Sequence, residues 1–76
     1  MELLSRITLN PEVMNGKPTI RNMRFSVTQM LGLLAAGMTI DEILGDYPYI
    51  EREDILACLQ YASTSTNTSM QWRKSA

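Results

Sequence analysis

Between positions 25 and 62 one arrangement of apolar and polar residues occurs three times at nearly even spacing. Each copy has an apolar residue, a polar residue, and three positions later a residue able to reach back, followed by an apolar one. In Phe25-Ser26-Val27-Thr28-Gln29-Met30, Ser26 suits an N-cap, Gln29 occupies the capping-box position, and Phe25 and Met30 are spaced to close a hydrophobic staple. Met38-Thr39-Ile40-Asp41-Glu42-Ile43 repeats the arrangement with Thr39 as cap and Glu42 reaching back. The third copy, Ile50-Glu51-Arg52-Glu53-Asp54-Ile55, is weaker, because Glu51 caps less well than Ser or Thr. Stops agree with these starts: Gly37 suits the left-handed residue after a first helix, and Pro48 forces Tyr47 out of the helical region after a second. The pattern therefore predicts helices over 27–36, 40–46 and 52–62.

Apolar residues at helical spacing give each helix one inward stripe. Val27, Met30, Leu31 and Leu34 form the first, Ile40, Ile43 and Leu44 the second, and Ile55, Leu56, Leu59 and Ala62 the third. Leu33 falls off the first stripe beside the small residues Gly32, Ala35 and Ala36, where another helix can approach closely. Helices this short, joined by turns of a few residues, must cross around a common core. The predicted fold is mainly α, a tri-helical helix-turn-helix-like domain.

A short β-arm precedes it. Ile7-Thr8-Leu9 alternates as a strand does, and Asn10-Pro11-Glu12-Val13 reads as a single helical turn capped by Asn10. Asn15-Gly16 is a turn dipeptide. Residues 19–21 and 24–25 read as two very short strands around Asn22-Met23, with Asn22 suited to a positive φ.

Length and composition narrow this picture. At 76 residues the chain has room for one domain, placed at 1–62, and the Ser/Thr/Asn-rich run that follows makes 63–76 a flexible tail. The single cysteine, Cys58, excludes an internal disulfide and reads as a buried thiol in a reducing cytoplasm. No apolar run is long enough to span a bilayer or to form a signal sequence, so a cytoplasmic protein is expected. A small core and uncovered strand edges favour a homodimer, with Leu33, Gly32 and Ala36 as its close-packing face.

The net charge of -1 conceals a segregation. Residues 1–36 set Arg6, Lys17, Arg21 and Arg24 against Glu2 and Glu12. Residues 37–62 set Asp41, Glu42, Asp46, Glu51, Glu53 and Asp54 against Arg52 alone, and the tail adds Arg73 and Lys74. With no histidine and no Gly-rich phosphate loop, neither a nucleophile–base pair nor a zinc site assembles in the usual ways, so no enzyme and no cofactor is expected. Glu53 and Asp54 have a reason to lie near a helix start in the helix dipole, ahead of any role with Asp46 as Mg²⁺ ligands.

Nucleic-acid binding is plausible by fold and awkward by charge. The start of a recognition helix here is Glu51-Arg52-Glu53-Asp54, three acids around one arginine. The better candidates for phosphate contacts are Lys17, Arg21 and Arg24 on the arm, with Arg52 on the helix; ordinary surface charge or structural pairing with the acidic helices competes as a reading of the arm residues. Glu51, Glu53 and Asp54 form an acidic face suited to a basic cleft of a protein partner. In the tail, Trp72 is a candidate apolar anchor, with Arg73 and Lys74 placed to pair with carboxylates.

A longer constellation goes beyond these local readings. Gly16-Lys17-Pro18-Thr19-Ile20-Arg21 with Arg24, then Leu34-Ala35-Ala36-Gly37-Met38-Thr39, Asp41-Glu42-Ile43-Leu44, Asp46-Tyr47-Pro48 and Glu53-Asp54-Ile55 resemble the domain-of-unknown-function family numbered 433, over residues 7–62. The chain departs from the family's usual residues at Asn22-Met23 (Gly-Thr), Ser26 (Pro) and Glu51 (Ser or Thr). The resemblance implies a helix-turn-helix-like fold and the role of antitoxin in a type II toxin–antitoxin pair, neutralising a PIN-like nuclease, with repression of its own operon through operator DNA as an accompanying option. A DNA-binding transcriptional regulator without a toxin partner is the alternative.

Overall fold

The computed structural model describes residues 2–65, in the order 3-10 turn (Leu3–Arg6), β1 (Ile7–Thr8), 3-10 turn (Met14–Gly16), β2 (Thr19–Ile20), α1 (Val27–Ala35), α2 (Ile40–Asp46) and α3 (Arg52–Ser65). β1 and β2 pair antiparallel, with Ile7 opposite Ile20 and Thr8 opposite Thr19. The predicted strand at 24–25 shrinks to one bridge between Thr19 and Ser26, and Leu9 falls outside β1. Asn22 has the expected positive φ, 59°, and Arg21 joins it at 45°. At Asn10 the predicted helical turn is an Asx-type turn, in which the Glu12 N–H donates to Asn10 Oδ1 at 2.9 Å.

The first two helix starts follow the local chemistry. Ser26 Oγ accepts from the Gln29 N–H at 2.9 Å. Thr39 and Glu42 form a complete capping box: Thr39 Oγ1 accepts from the Glu42 N–H at 3.1 Å, and Glu42 Oε1 accepts from the Thr39 N–H at 2.8 Å. Removing the Thr39 hydroxyl leaves the Glu42 amide to water, so Thr39→Ala is expected to cost about 1 kcal/mol, read as a lower urea midpoint with unchanged slope. Gly37, at φ +99°, ends α1 in a conformation that a Cβ would strain.

The core is built from Ile20, Phe25, Val27, Met30, Ile43, Ile50, Ile55 and Cys58. The stripes predicted for α1 and α2 are present: Val27, Met30 and Ile43 are buried, and Leu31, Leu34, Ile40 and Leu44 pack against them. Leu33, expected off the stripe, also packs on the core.

On α3 the prediction is corrected. Ile55 is buried, but so are Asp54, Ala57 and Cys58, while Leu56 and Leu59 remain 39% and 42% exposed. Successive helical residues are about 100° apart, so Leu56 lies roughly 200° around α3 from Asp54, and one helix cannot bury both. The rotation chosen turns Asp54 inward. α3 also continues past the predicted end at residue 62. Thr64 Oγ1 donates to the Tyr61 carbonyl at 2.9 Å, satisfying a C-terminal acceptor and carrying the helix into the Ser/Thr run. Among the described residues no helix is long and apolar enough to cross a membrane.

Candidate functional site

Asp54 is the third residue of α3, and its carboxylate is fully buried. It gathers three segments that are distant in the chain. The 3-10 turn Leu3–Arg6 packs along α3 more extensively than α1 or α2 does, and it delivers Arg6, whose Nη1 donates to Asp54 Oδ1 at 2.8 Å and to Glu51 Oε1 at 2.7 Å. The positive φ at Arg21 and Asn22 turns the chain just after β2. From there Arg21 Nε donates to Asp54 Oδ1 at 3.0 Å, and its Nη2 donates to Asp54 Oδ2 at 2.6 Å and to the Tyr49 carbonyl at 3.0 Å. The Glu51 N–H supplies the last bond, to Asp54 Oδ2 at 2.8 Å. This last contact is the reach-back half of a capping box, so α3 is started by Asp54, while the Glu51 side chain is held by Arg6.

Each Asp54 oxygen thus accepts two hydrogen bonds, which fills the acceptor capacity of a carboxylate. Burial by itself would push the Asp54 carboxyl upward. The bonds from Arg21, the Glu51 amide and Arg6 outweigh it and hold the carboxyl below its ordinary value. Arg6, bonded first to Glu51 and then to Asp54, and Arg21, bonded to Asp54, are both held above the ordinary arginine value.

The predicted site residues divide accordingly. Asp54 was expected on a partner-facing surface; it is enclosed and saturated, and the structure removes it from that surface. Arg21 was expected to contact phosphate; its Nε and Nη2 are committed to Asp54 and Tyr49, which is the structural pairing weighed for it from the sequence. Glu51 is exposed but bonded to Arg6. Arg52 pairs with Asp41 across α2 and α3 at 3.0 Å, a solvent-exposed contact worth little. Lys17 and Arg24 are exposed and form no ion pair among the described residues. Glu53 is half-buried. Trp72, Arg73 and Lys74 lie outside the described residues.

Two features escaped the sequence reading. Arg6 was not singled out, because nothing local connects it to a carboxylate 48 positions away. Leu56 and Leu59 carried a signal, their apolar character on α3, but it pointed inward. Cys58 is buried as expected, and burial, reinforced by the charge of Asp54, pushes its thiol up to about 12, which leaves it inert as a nucleophile. Among the described residues no three His, Cys, Asp or Glu side chains converge as a metal site.

The model of the family described as "Protein of unknown function (DUF433)" matches residues 7–62. No curated protein and no solved structure matches the chain.

Proposed function

The chain belongs to the DUF433 family, and from that premise we propose that it works by binding a protein, as the antitoxin that occupies and neutralises a PIN-like nuclease. One observation carries this reading: at the start of α3, the helix that a helix-turn-helix would insert into DNA, Arg6 and Arg21 are committed to the buried Asp54, which leaves one exposed arginine, Arg52, between the acids Glu51 and Glu53. The half-buried Glu53 lies one turn before Leu56, which with Leu59 is partly exposed on the outward side of α3. Phosphates would be repelled there, whereas a basic protein cleft would be attracted.

The test is co-expression with the product of the reading frame adjacent to this chain's gene, which on this reading is a PIN-like nuclease. A stable complex and loss of ribonuclease activity are expected. Free nuclease with undiminished activity in the presence of excess chain would overturn the reading.

Autorepression, or regulation without a toxin, is favoured by one observation only, the exposure of Lys17 and Arg24 on the arm. If the arm binds DNA, Lys17→Ala and Arg24→Ala should each weaken binding across all sequences and reduce the salt slope by about one. Gel-shift titrations over a salt series measure this. Absence of any shift at low salt would dismiss both DNA roles.

A further inference from the structure

Met14, Asn15 and Gly16 carry the arm through three successive left-handed residues, at φ 52°, 59° and 80°. Such a run is costly for residues that have a Cβ. Here it is held by backbone bonds from the Gly16 N–H to the Val13 carbonyl at 3.2 Å and from the Lys17 N–H to the Met14 carbonyl at 3.1 Å. A turn under that strain, centred on an exposed residue, opens at lower cost than the core does. The side chain of Asn15, at its centre, makes no hydrogen bond among the described residues.

We propose that Asn15 is a site of spontaneous modification, at which the side-chain amide is lost through a cyclic imide formed with the nitrogen of Gly16. The Gly16 nitrogen attacks Asn15 Cγ, its proton leaves with the side-chain nitrogen as ammonia, and the new C–N bond closes the imide ring. Water then opens the ring. Cleavage of the bond to Cγ gives aspartate, and cleavage of the bond to the main-chain carbonyl carbon gives isoaspartate, in which the backbone runs through the β-carbon.

The other asparagines among the described residues lack this route. Asn10 precedes Pro11, whose nitrogen has no proton to give up, and its side-chain amide donates to Asn22 Oδ1 at 3.2 Å. Asn22 precedes Met23, whose side chain hinders approach as a glycine does not, and the Met23 N–H is bonded to the Ile20 carbonyl at 2.8 Å. The fold then sets the rate at Asn15. At ψ 34° the Gly16 nitrogen is turned away from the Asn15 Cβ, so the ring closes only once the turn has opened. Isoaspartate inserts a main-chain carbon into the segment that the two hydrogen bonds span, so the opened turn does not re-form as it was. Either product sets a carboxylate two residues before the exposed Lys17.

The experiment incubates the full chain at mildly alkaline pH, folded and in urea, and maps its peptides by mass spectrometry, with an isoaspartate-specific methyltransferase to tell the two products apart. Conversion at Asn15 is expected in both samples, several-fold faster in urea, with Asn10 and Asn22 intact in the folded chain. Hydrogen exchange should be faster at the Gly16 and Lys17 amides than at the buried Ile43 amide, which reports the opening of the turn directly. Asn15→Gln, whose longer side chain closes a ring far more slowly, should stay unmodified over the same period; the mapping of the unaltered chain does not depend on how that variant folds. A folded chain that keeps Asn15 intact while the chain in urea is converted overturns the proposal, and so does conversion of Asn22 as fast as Asn15. Equal rates at Asn15 in the two samples would overturn the control that the turn exerts.

Discussion

Replacing Asp54 with alanine is expected to cost about 3 kcal/mol of folding stability at neutral pH, because it strands Arg6 and Arg21 beside a void that held their shared carboxylate and removes the cap of α3. Breaking a buried pair by removing one partner costs about 3–5 kcal/mol, and the lower end applies because both arginines retain contact with water. In a small domain whose total stability is on the order of 5 kcal/mol, this leaves a substantial unfolded fraction at 37 °C. Asp54→Asn retains the shape but not the charge, and should lie between the two. The pH dependence gives an independent measure. The folded carboxyl is held below its ordinary value of 3.8, so on acidification the unfolded chain takes up the proton first. The stabilisation from Asp54 is therefore complete above about pH 5 and disappears as the pH falls through the unfolded value towards the folded one. Urea midpoints followed from neutral pH to pH 3 should fall steeply for the unaltered chain and less steeply for Asp54→Asn. Parallel curves would mean that the cluster contributes nothing through its charge.

Phe25→Ala is expected to be as damaging, at about 3–4 kcal/mol, by a different route. Phe25 is 2% exposed and meets Tyr47 edge to face, with ring centroids 5.1 Å apart. It also belongs to the same buried cluster as Ile20 and Met30, so truncation opens a cavity in the core between β2 and α1. For a domain this small, 3 kcal/mol corresponds to roughly 15 °C or more in the thermal midpoint. Leu56→Ala makes the informative contrast: being partly exposed, it should cost about 1 kcal/mol or less. Similar losses at Phe25 and Leu56 would contradict the orientation of α3.

The orientation of α3 is also where sequence and structure part. Starts and stops of α1 and α2 were legible because the interactions that make them span at most four residues: Ser26 with Gln29, Thr39 with Glu42, and the left-handed Gly37. The inward stripes of these two helices were legible for the same reason, since no charged residue on either competes for burial with the apolar ones. The turn at Asn22 was visible in the tolerance of asparagine for positive φ. Of the site, Arg21 and Asp54 were visible as charged residues in a motif, with structural pairing weighed as one possible use of Arg21.

Their destination was not visible. On α3 the apolar pattern alone favours burying Leu56 and Leu59, each of which gains at most about 2–3 kcal/mol from full burial. Opposing it are four hydrogen bonds to one carboxylate, three of them from arginines that arrive from positions 6 and 21. Those donors lie 33 to 48 residues away in sequence, beyond the reach of any local periodicity. Only the folded arrangement brings them together, and once it does, a buried carboxylate with every acceptor site filled outweighs two leucines left partly in water. The sequence by itself thus determined where the helices begin and how the first two pack. The tertiary structure decided which way the third one turns, and so which of its residues remain outside.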